Sequence, residues 1–190
     1  MTASDTEIIV VDNHGQFTHL EGRALRDLGV EHDIVDNEVP ADDVLARDPD
    51  GVILSGGPSM ERSGNSADYL TGDVPVLGIC LGHQIIAREM GGAVSSGEYG
   101  GFADVEVDFL ERDGLFEGLG SRVSTWASHG DEVVELPDGF VRTARSDVCE
   151  IEAMRHDDEP IYGVQWHPEV SHTEKGLELL GNFVSIAEKH

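Results

Sequence analysis

The chain has 190 residues, 39% of them apolar and 23 of them glycine, which suits one domain over residues 1–190 with a sizeable core and many tight turns. Aspartate and glutamate total 38 against 12 lysine plus arginine, a formal charge of −26; a surface of that sign repels phosphate backbones and all but excludes nucleic-acid binding. Its longest apolar runs, such as Ile8-Ile9-Val10-Val11, fall far short of the roughly 20 residues of a membrane span, and the first residues lack a basic, apolar leader, so a soluble cytoplasmic protein is expected.

Only Lys175 and Lys189 are lysines, so few cations offset the carboxylates locally. Such an excess is read as that of a halophilic protein, in which salt screens the self-repulsion. Cys80 and Cys149 form no C-x-x-C pair and are expected to be free thiols.

In chain order, the β-branched run at residues 7–12 predicts a buried parallel strand. A helix is expected over 17–28, closed by Gly29. A second strand follows at 30–35, then a short helix at 40–46 that starts at Pro40. A third strand, 51–55, runs into Gly56-Gly57-Pro58. The fourth, 74–79, leads into a helix at 81–90. From residue 93 the pattern changes to short strands at 103–110, 122–126, 140–144, 148–154 and 161–164. The last helix is expected over 173–187, with Ser171 and Glu174 as a capping box. Alternating strands and helices followed by a meander predict an α/β fold. It is an open, mostly parallel sheet with helices on both faces and a small antiparallel element.

The sharpest local feature is Gly78-Ile79-Cys80-Leu81-Gly82. A buried strand ends at Cys80 and a helix begins at once, as in a nucleophile elbow whose flanking glycines relieve crowding. The helix N-terminus favours thiolate; the competing reading is a buried core cysteine. A thiol nucleophile needs a base and a group to orient it. In Gly163-Val-Gln-Trp-His167-Pro168-Glu169, His167 can take the proton and Glu169 can hold the imidazole. Taken alone, His-Pro-Glu reads equally as a loop entering the last helix. Ser55-Gly56-Gly57-Pro58 offers backbone that can aim N–H groups at an oxyanion, or makes a simple turn. It lacks the lysine of a phosphate loop. No Cys/His spacing suits zinc, so no metal is expected.

Together, Gly78-Ile-Cys-Leu-Gly-His-Gln84, Gly56-Gly57-Pro58 and Gly163-Val-Gln-Trp-His-Pro-Glu169 resemble the class I (triad) glutamine amidotransferases over nearly the whole chain. The resemblance implies a flavodoxin-like sheet and glutamine hydrolysis through a thioester on Cys80, with His167 as base and Glu169 orienting it. It implies an oxyanion hole from the N–H groups of Gly57 and Leu81. It also implies glutamine contacts from Gly56, Gln84 and Ser128-His129-Gly130-Asp131. Trp126-Ala-Ser-His-Gly-Asp131, Asn13-His-Gly-Gln-Phe-Thr-His19 and Arg26-Asp-Leu-Gly29 resemble the GMP synthase branch in its stand-alone archaeal form. There a separate ATP pyrophosphatase subunit uses ATP and Mg to turn XMP into GMP. This implies no cofactor on this chain and a heterodimeric partner. A free glutaminase would waste glutamine, so the triad is expected to be incompletely assembled without that partner. Trp166 replaces a commoner Phe, and Tyr99-Gly-Gly-Phe102 departs from the family pattern. Service to another synthase, such as anthranilate or aminodeoxychorismate synthase, is the nearest alternative. A cysteine hydrolase or stress protein on a similar sheet is another.

The charge generates a first prediction. Circular dichroism in a KCl titration should show native signal developing only toward molar salt, because the Debye length falls from about 10 Å at 0.1 M to about 3 Å at 1 M. Full native signal in the low-salt limit would contradict it.

Overall fold

The run Ile8-Ile9-Val10-Val11 lies wholly buried in β1 (Ser4–Asp12). Such a run is stable only with both faces of a sheet covered. In the computed structural model, which describes residues 4–190 apart from the side chains of Ser4 and 98–103, Ile8 and Val10 face one apolar cluster and Ile9 and Val11 the other. The departing Tyr99–Phe102 stretch therefore lies outside the described side chains.

α1 (Thr18–Asp27) follows β1, ending with Gly29 at φ +74°. β2 (Val30–Asp36), α2 (Ala41–Leu45) and β3 (Gly51–Leu54) come next, then β4 (Val76–Ile79) and α3 (Leu81–Glu89). β5 (Ala93–Phe109), β6 (Arg122–Glu135), β7 (Phe140–Arg145), β8 (Ala153–His156) and β9 (Ile161–Val164) precede α4 (Gly176–Lys189). All nine strands form one sheet in the order β2-β1-β3-β4-β9-β8-β7-β5-β6. The first five run parallel, and the pairs from β9 onward are antiparallel. α1 and α4 cover the face carrying Ile8, Val10 and Ile79. α2 and α3 cover the face carrying Ile9, Val11 and Leu54.

The parallel part has the flavodoxin-like order, for which ligands bind outside the carboxyl ends of the strands, where the order reverses. Here that reversal lies between β1 and β3, and the segments after β1, β3, β4 and β9 meet there.

The structure departs from the sequence reading in several places, and β5 and β6 run longer than the expected 103–110 and 122–126. Residues 161–164 pair in parallel with β4 as well as antiparallel with β8, so β9 completes the parallel sheet rather than the meander. Residues 148–152 are not strand: the Ser146 hydroxyl accepts the N–H groups of Val148 and Cys149, a local turn that competes with the ladder. The capping box does not form, since α4 begins only at Gly176 behind Lys175, with no side-chain cap. The Glu174 carboxylate instead accepts the Ser124 N–H at 2.9 Å, fastening this turn to β6. Trp166 is accommodated by a buried aromatic group with Phe109 and Phe116, each ring centroid 6.2 Å away.

Two glycines give opposite expectations. A Cβ on Gly82 would lie 2.1 Å from the Leu54 carbonyl oxygen, whereas one on Gly181, inside α4, meets only Leu28 Cδ2 at 3.5 Å. Gly82→Ala should therefore cost about 1–3 kcal/mol or more, and Gly181→Ala should stabilise by about 1 kcal/mol. Denaturant unfolding in molar salt measures both, and equal effects of one sign would contradict this packing.

Candidate active site

A tight strand-to-helix turn holds Cys80. β4 ends at Ile79 and α3 begins at Leu81, leaving Cys80 alone in the turn at φ +53°, ψ −103°. A non-glycine residue there is strained, at a cost of order 1–3 kcal/mol, and persists only when its surroundings over-determine it. They do: the Cys80 N–H donates to the Val164 carbonyl at 2.9 Å, and its own carbonyl accepts the Gln84 N–H at 3.1 Å. A Cβ on Gly78 would lie 2.5 Å from Gly82 backbone atoms, so neither flanking position admits a side chain. Cys80 is buried, with Sγ 3.8 Å from the Ser128 carbonyl oxygen and 3.6 Å from Gln165 Nε2.

His167 follows β9 directly and is held from several sides. Its N–H donates to the Trp126 carbonyl at 3.3 Å, and its carbonyl accepts the Thr173 hydroxyl at 2.7 Å. Thr173 in turn accepts the Trp126 N–H. Nδ1 contacts Glu169 Oε1 at 2.6 Å, and the Glu169 side chain is wholly buried. The other edge of the ring faces Cys80. Burial lowers the proton affinity of the imidazole, but hydrogen bonds to Cys80 and Glu169, with their charges, outweigh it and raise the His167 pKa to about 10. The ring therefore carries its proton at neutral pH.

A cavity of about 370 Å³ opens over these groups, lined among others by Gly56, Gly57, Cys80, Ser128 and His167. A Cβ on Gly56 would lie 3.1 Å from His167 Cε1, and one on Gly57 2.3 Å from the Asn13 carbonyl oxygen. Only bare backbone can form that wall. Leu81 is the first residue of α3, so its N–H has no partner in a preceding helical turn. A larger hollow, about 810 Å³, lies at the opposite end of the sheet around Glu111 and Arg155, which pair with each other at 2.8 Å.

The other expected glutamine contacts are placed differently. Ser128 and Gly56 line the cavity, but Gln84, His129, Gly130 and Asp131 do not. Gln84 is buried, and its amide donates to the Asp131 carbonyl at 2.9 Å and to Gln165 Oε1 at 3.3 Å. It secures the 128–131 segment from behind. His129 Nδ1 lies 2.9 Å from the Asp131 carbonyl oxygen. Cys149 is buried away from the cavity, and burial pushes its thiol pKa far up.

Sequence reasoning missed Gln165, Phe17 and Glu21. Gln165 reaches the thiol from inside a motif whose histidine draws the eye first. Phe17 packs edge-on against His167 and Trp126, at 5.2 and 5.4 Å. Glu21 lines the cavity although it sits four residues on from Phe17, in a helix that reads as an ordinary cover for the sheet. No spacing signals these three.

A thiol on a strand-to-helix elbow, beside an imidazole that already holds a proton, can form and hydrolyse an acyl-thioester. Fold and site together define an α/β enzyme of the cysteine-dependent acyl-transfer class. The family model for class-I glutamine amidotransferases matches residues 9–187, and the chain belongs to that family. It is 59% identical over 187 residues, 98% of this chain and 99% of the relative, to a GMP synthase [glutamine-hydrolyzing] subunit of Methanosarcina barkeri. It is 58% identical to the protein of the same name in Haloarcula marismortui, over 97% of this chain and 96% of the relative. Among solved structures it resembles a GMP synthase subunit from Thermoplasma acidophilum, with a TM-score of 0.92, 37% identity, and 97% and 94% of the two chains covered. A Thermotoga maritima glutamine amidotransferase shares the fold at a TM-score of 0.72 and 19% identity, over 98% and 84%.

The hydrogen bond to Glu169 generates a prediction for His167. Glu169→Gln removes one of the interactions that raise its pKa, so imidazole NMR should show the ring releasing its proton well below the about 10 of the parent. A folded pKa raised above the unfolded one stabilises the protein below the unfolded value and loses that stabilisation as pH rises through the folded one. The variant should therefore be less stable than the parent near neutrality. An unchanged titration would contradict the assignment.

Proposed function

We propose that this chain is the glutaminase subunit of a two-subunit GMP synthase. The observation that carries the proposal is the facing of Cys80 by the His167–Glu169 pair at the carboxyl end of the sheet. The 55–59% identity to relatives named as glutamine-hydrolyzing GMP synthase subunits supports the choice of synthase.

Cys80 Sγ, as thiolate, attacks the side-chain carboxamide carbon of glutamine. Negative charge develops on the carboxamide oxygen, and the N–H groups of Gly57 and Leu81 are the donors that receive it. As the C–N bond breaks, the His167 imidazolium gives its proton to the leaving nitrogen, and ammonia departs. The neutral imidazole then takes a proton from water, whose oxygen attacks the glutamyl thioester; the C–S bond breaks, releasing glutamate and returning the thiolate beside the imidazolium. Glu169 keeps the ring in one tautomer throughout. Ser128 and Gly56 contact the glutamine backbone end, and Gln84, His129, Gly130 and Asp131 shape that wall. Ammonia passes to XMP activated by ATP and Mg on a separate ATP pyrophosphatase subunit. That partner docks on the rim formed by residues 57–64, of which Glu61 and Arg62 are exposed. This work belongs in the cytoplasm.

Cys80→Ala and Cys80→Ser should abolish glutamate release while the fold survives, and Cys149→Ala should leave it close to the parent rate. GMP formation by the partner supplied with free ammonia should be indifferent to Cys80. Glutamate release by a Cys80 variant at the parent rate would overturn the proposal.

A further inference from the structure

We propose that Glu21 is a positioning residue of the triad: it stands behind Glu169 as a neutral, protonated carboxyl, so that a single negative charge backs His167. The inference rests on the glutaminase reading for its kinetic arm only.

The geometry comes from α1. Phe17, just before the helix, packs edge-on against the His167 ring at 5.2 Å. Glu21 lies four residues later, on the same helical face, and lines the same cavity as His167 and Glu169. It is 1% exposed, and neither of its carboxyl oxygens has a hydrogen-bond partner. Glu169 Oε2 is likewise buried and unpartnered, Oε1 being engaged by His167. Two carboxylates so placed cannot both hold a charge, because each lacks solvent and the one adjacent cation is already shared.

The groups facing Glu21 decide which one keeps the proton. Burial is the largest influence and raises its pKa; Glu169, Asp12 and Cys80 raise it further, and only His167 opposes them. Asp12 is engaged elsewhere, its Oδ1 accepting the Thr18 hydroxyl and the His14 N–H. Arg23 and Arg26, on the same helix, are exposed. Glu169 has the direct contact with the His167 ring, so the proton is placed on Glu21, which has no such contact. Were Glu21 ionised as well, the second charge would bind the His167 proton more tightly and slow its transfer to departing ammonia. Were the side chain removed, the cavity that His167 and Glu169 line would lose part of its wall.

The test compares the parent with Glu21→Gln, which imitates the protonated acid, and with Glu21→Ala. A carboxyl whose folded pKa is raised makes the protein lose stability as pH climbs above the unfolded value, about 4.3. The stability of Glu21→Gln relative to the parent should therefore grow from pH 5 to pH 9 in denaturant unfolding at constant molar salt. A gap that stays constant over this range overturns the proposal, and this arm needs no substrate. In glutamate-release kinetics, Glu21→Ala should lower kcat by about tenfold, the lower end for outer residues that orient a functional group. KM should change little, and Glu21→Gln should restore most of kcat. An unchanged kcat in Glu21→Ala, or a Glu21→Gln variant as impaired as the alanine, overturns it as well. Should the alanine variant fail to fold, the parent–glutamine comparison decides alone. If no variant or parent releases glutamate, the stability arm still decides for Glu21, so the two readings fail separately.

Discussion

Three backbones meet where β4 turns into α3, and the site exists because nothing separates them. A Cβ on Gly82 would strike the Leu54 carbonyl at the end of β3, and one on Gly78 would strike Gly82 itself. With side chains at either position the helix would be pushed off the sheet and Cys80 released from its strained turn. Close packing of this kind has no soft response, since interiors at crystal-like density transmit displacement rather than absorb it. The thiol, the helix N-terminus and the glycine wall after β3 are thereby fixed in one step. His167 reaches the same point from β9, because β9 pairs with β4 and ends level with it.

Much of this is legible in the sequence alone. The β-branched runs at 8–11 and 51–54 need two covered faces, and the glycines around Cys80 announce an elbow. What escapes is whatever depends on long-range pairing. Residues 161–164 look like any short strand, and only their pairing with β4 makes them part of the parallel sheet. Ser171 and Glu174 have the spacing of a capping box, but Glu174 accepts the Ser124 N–H on β6 instead. β5 and β6 run longer than their sequence suggests, because stretches rich in Gly, Ser and Asp carry weak strand propensity. Their antiparallel pairing, from Ala93 opposite Glu135 to Asp108 opposite Arg122, holds those residues extended by its ladder. The sequence does not show that the Gln84 amide nitrogen also ties α3 to Asp131 and Gln165, two residues far along the chain.

Charge plays opposite parts outside and inside. The exposed carboxylates of a −26 chain stay hydrated, and their mutual repulsion is a long-range effect that salt removes. The buried ones, Glu21, Glu152 and Glu169, lie beyond the reach of bulk salt and are governed by their immediate neighbours. Burial raises Glu152 to about 7, partly offset by the Ser146 hydroxyl. Glu169 contacts the His167 ring at 2.6 Å. Ionic strength therefore acts chiefly on the exposed carboxylates, whereas local proton placement governs the buried ones.

The central claim is that the strained elbow makes Cys80 the acyl acceptor. Rapid mixing with glutamine, an acid quench and peptide mass spectrometry test it most directly. The account predicts a glutamyl thioester on the peptide containing Cys80 and none on the peptide containing Cys149. A glutamyl adduct on Cys149, or turnover of glutamine with no adduct on Cys80 at any quench time, would contradict it.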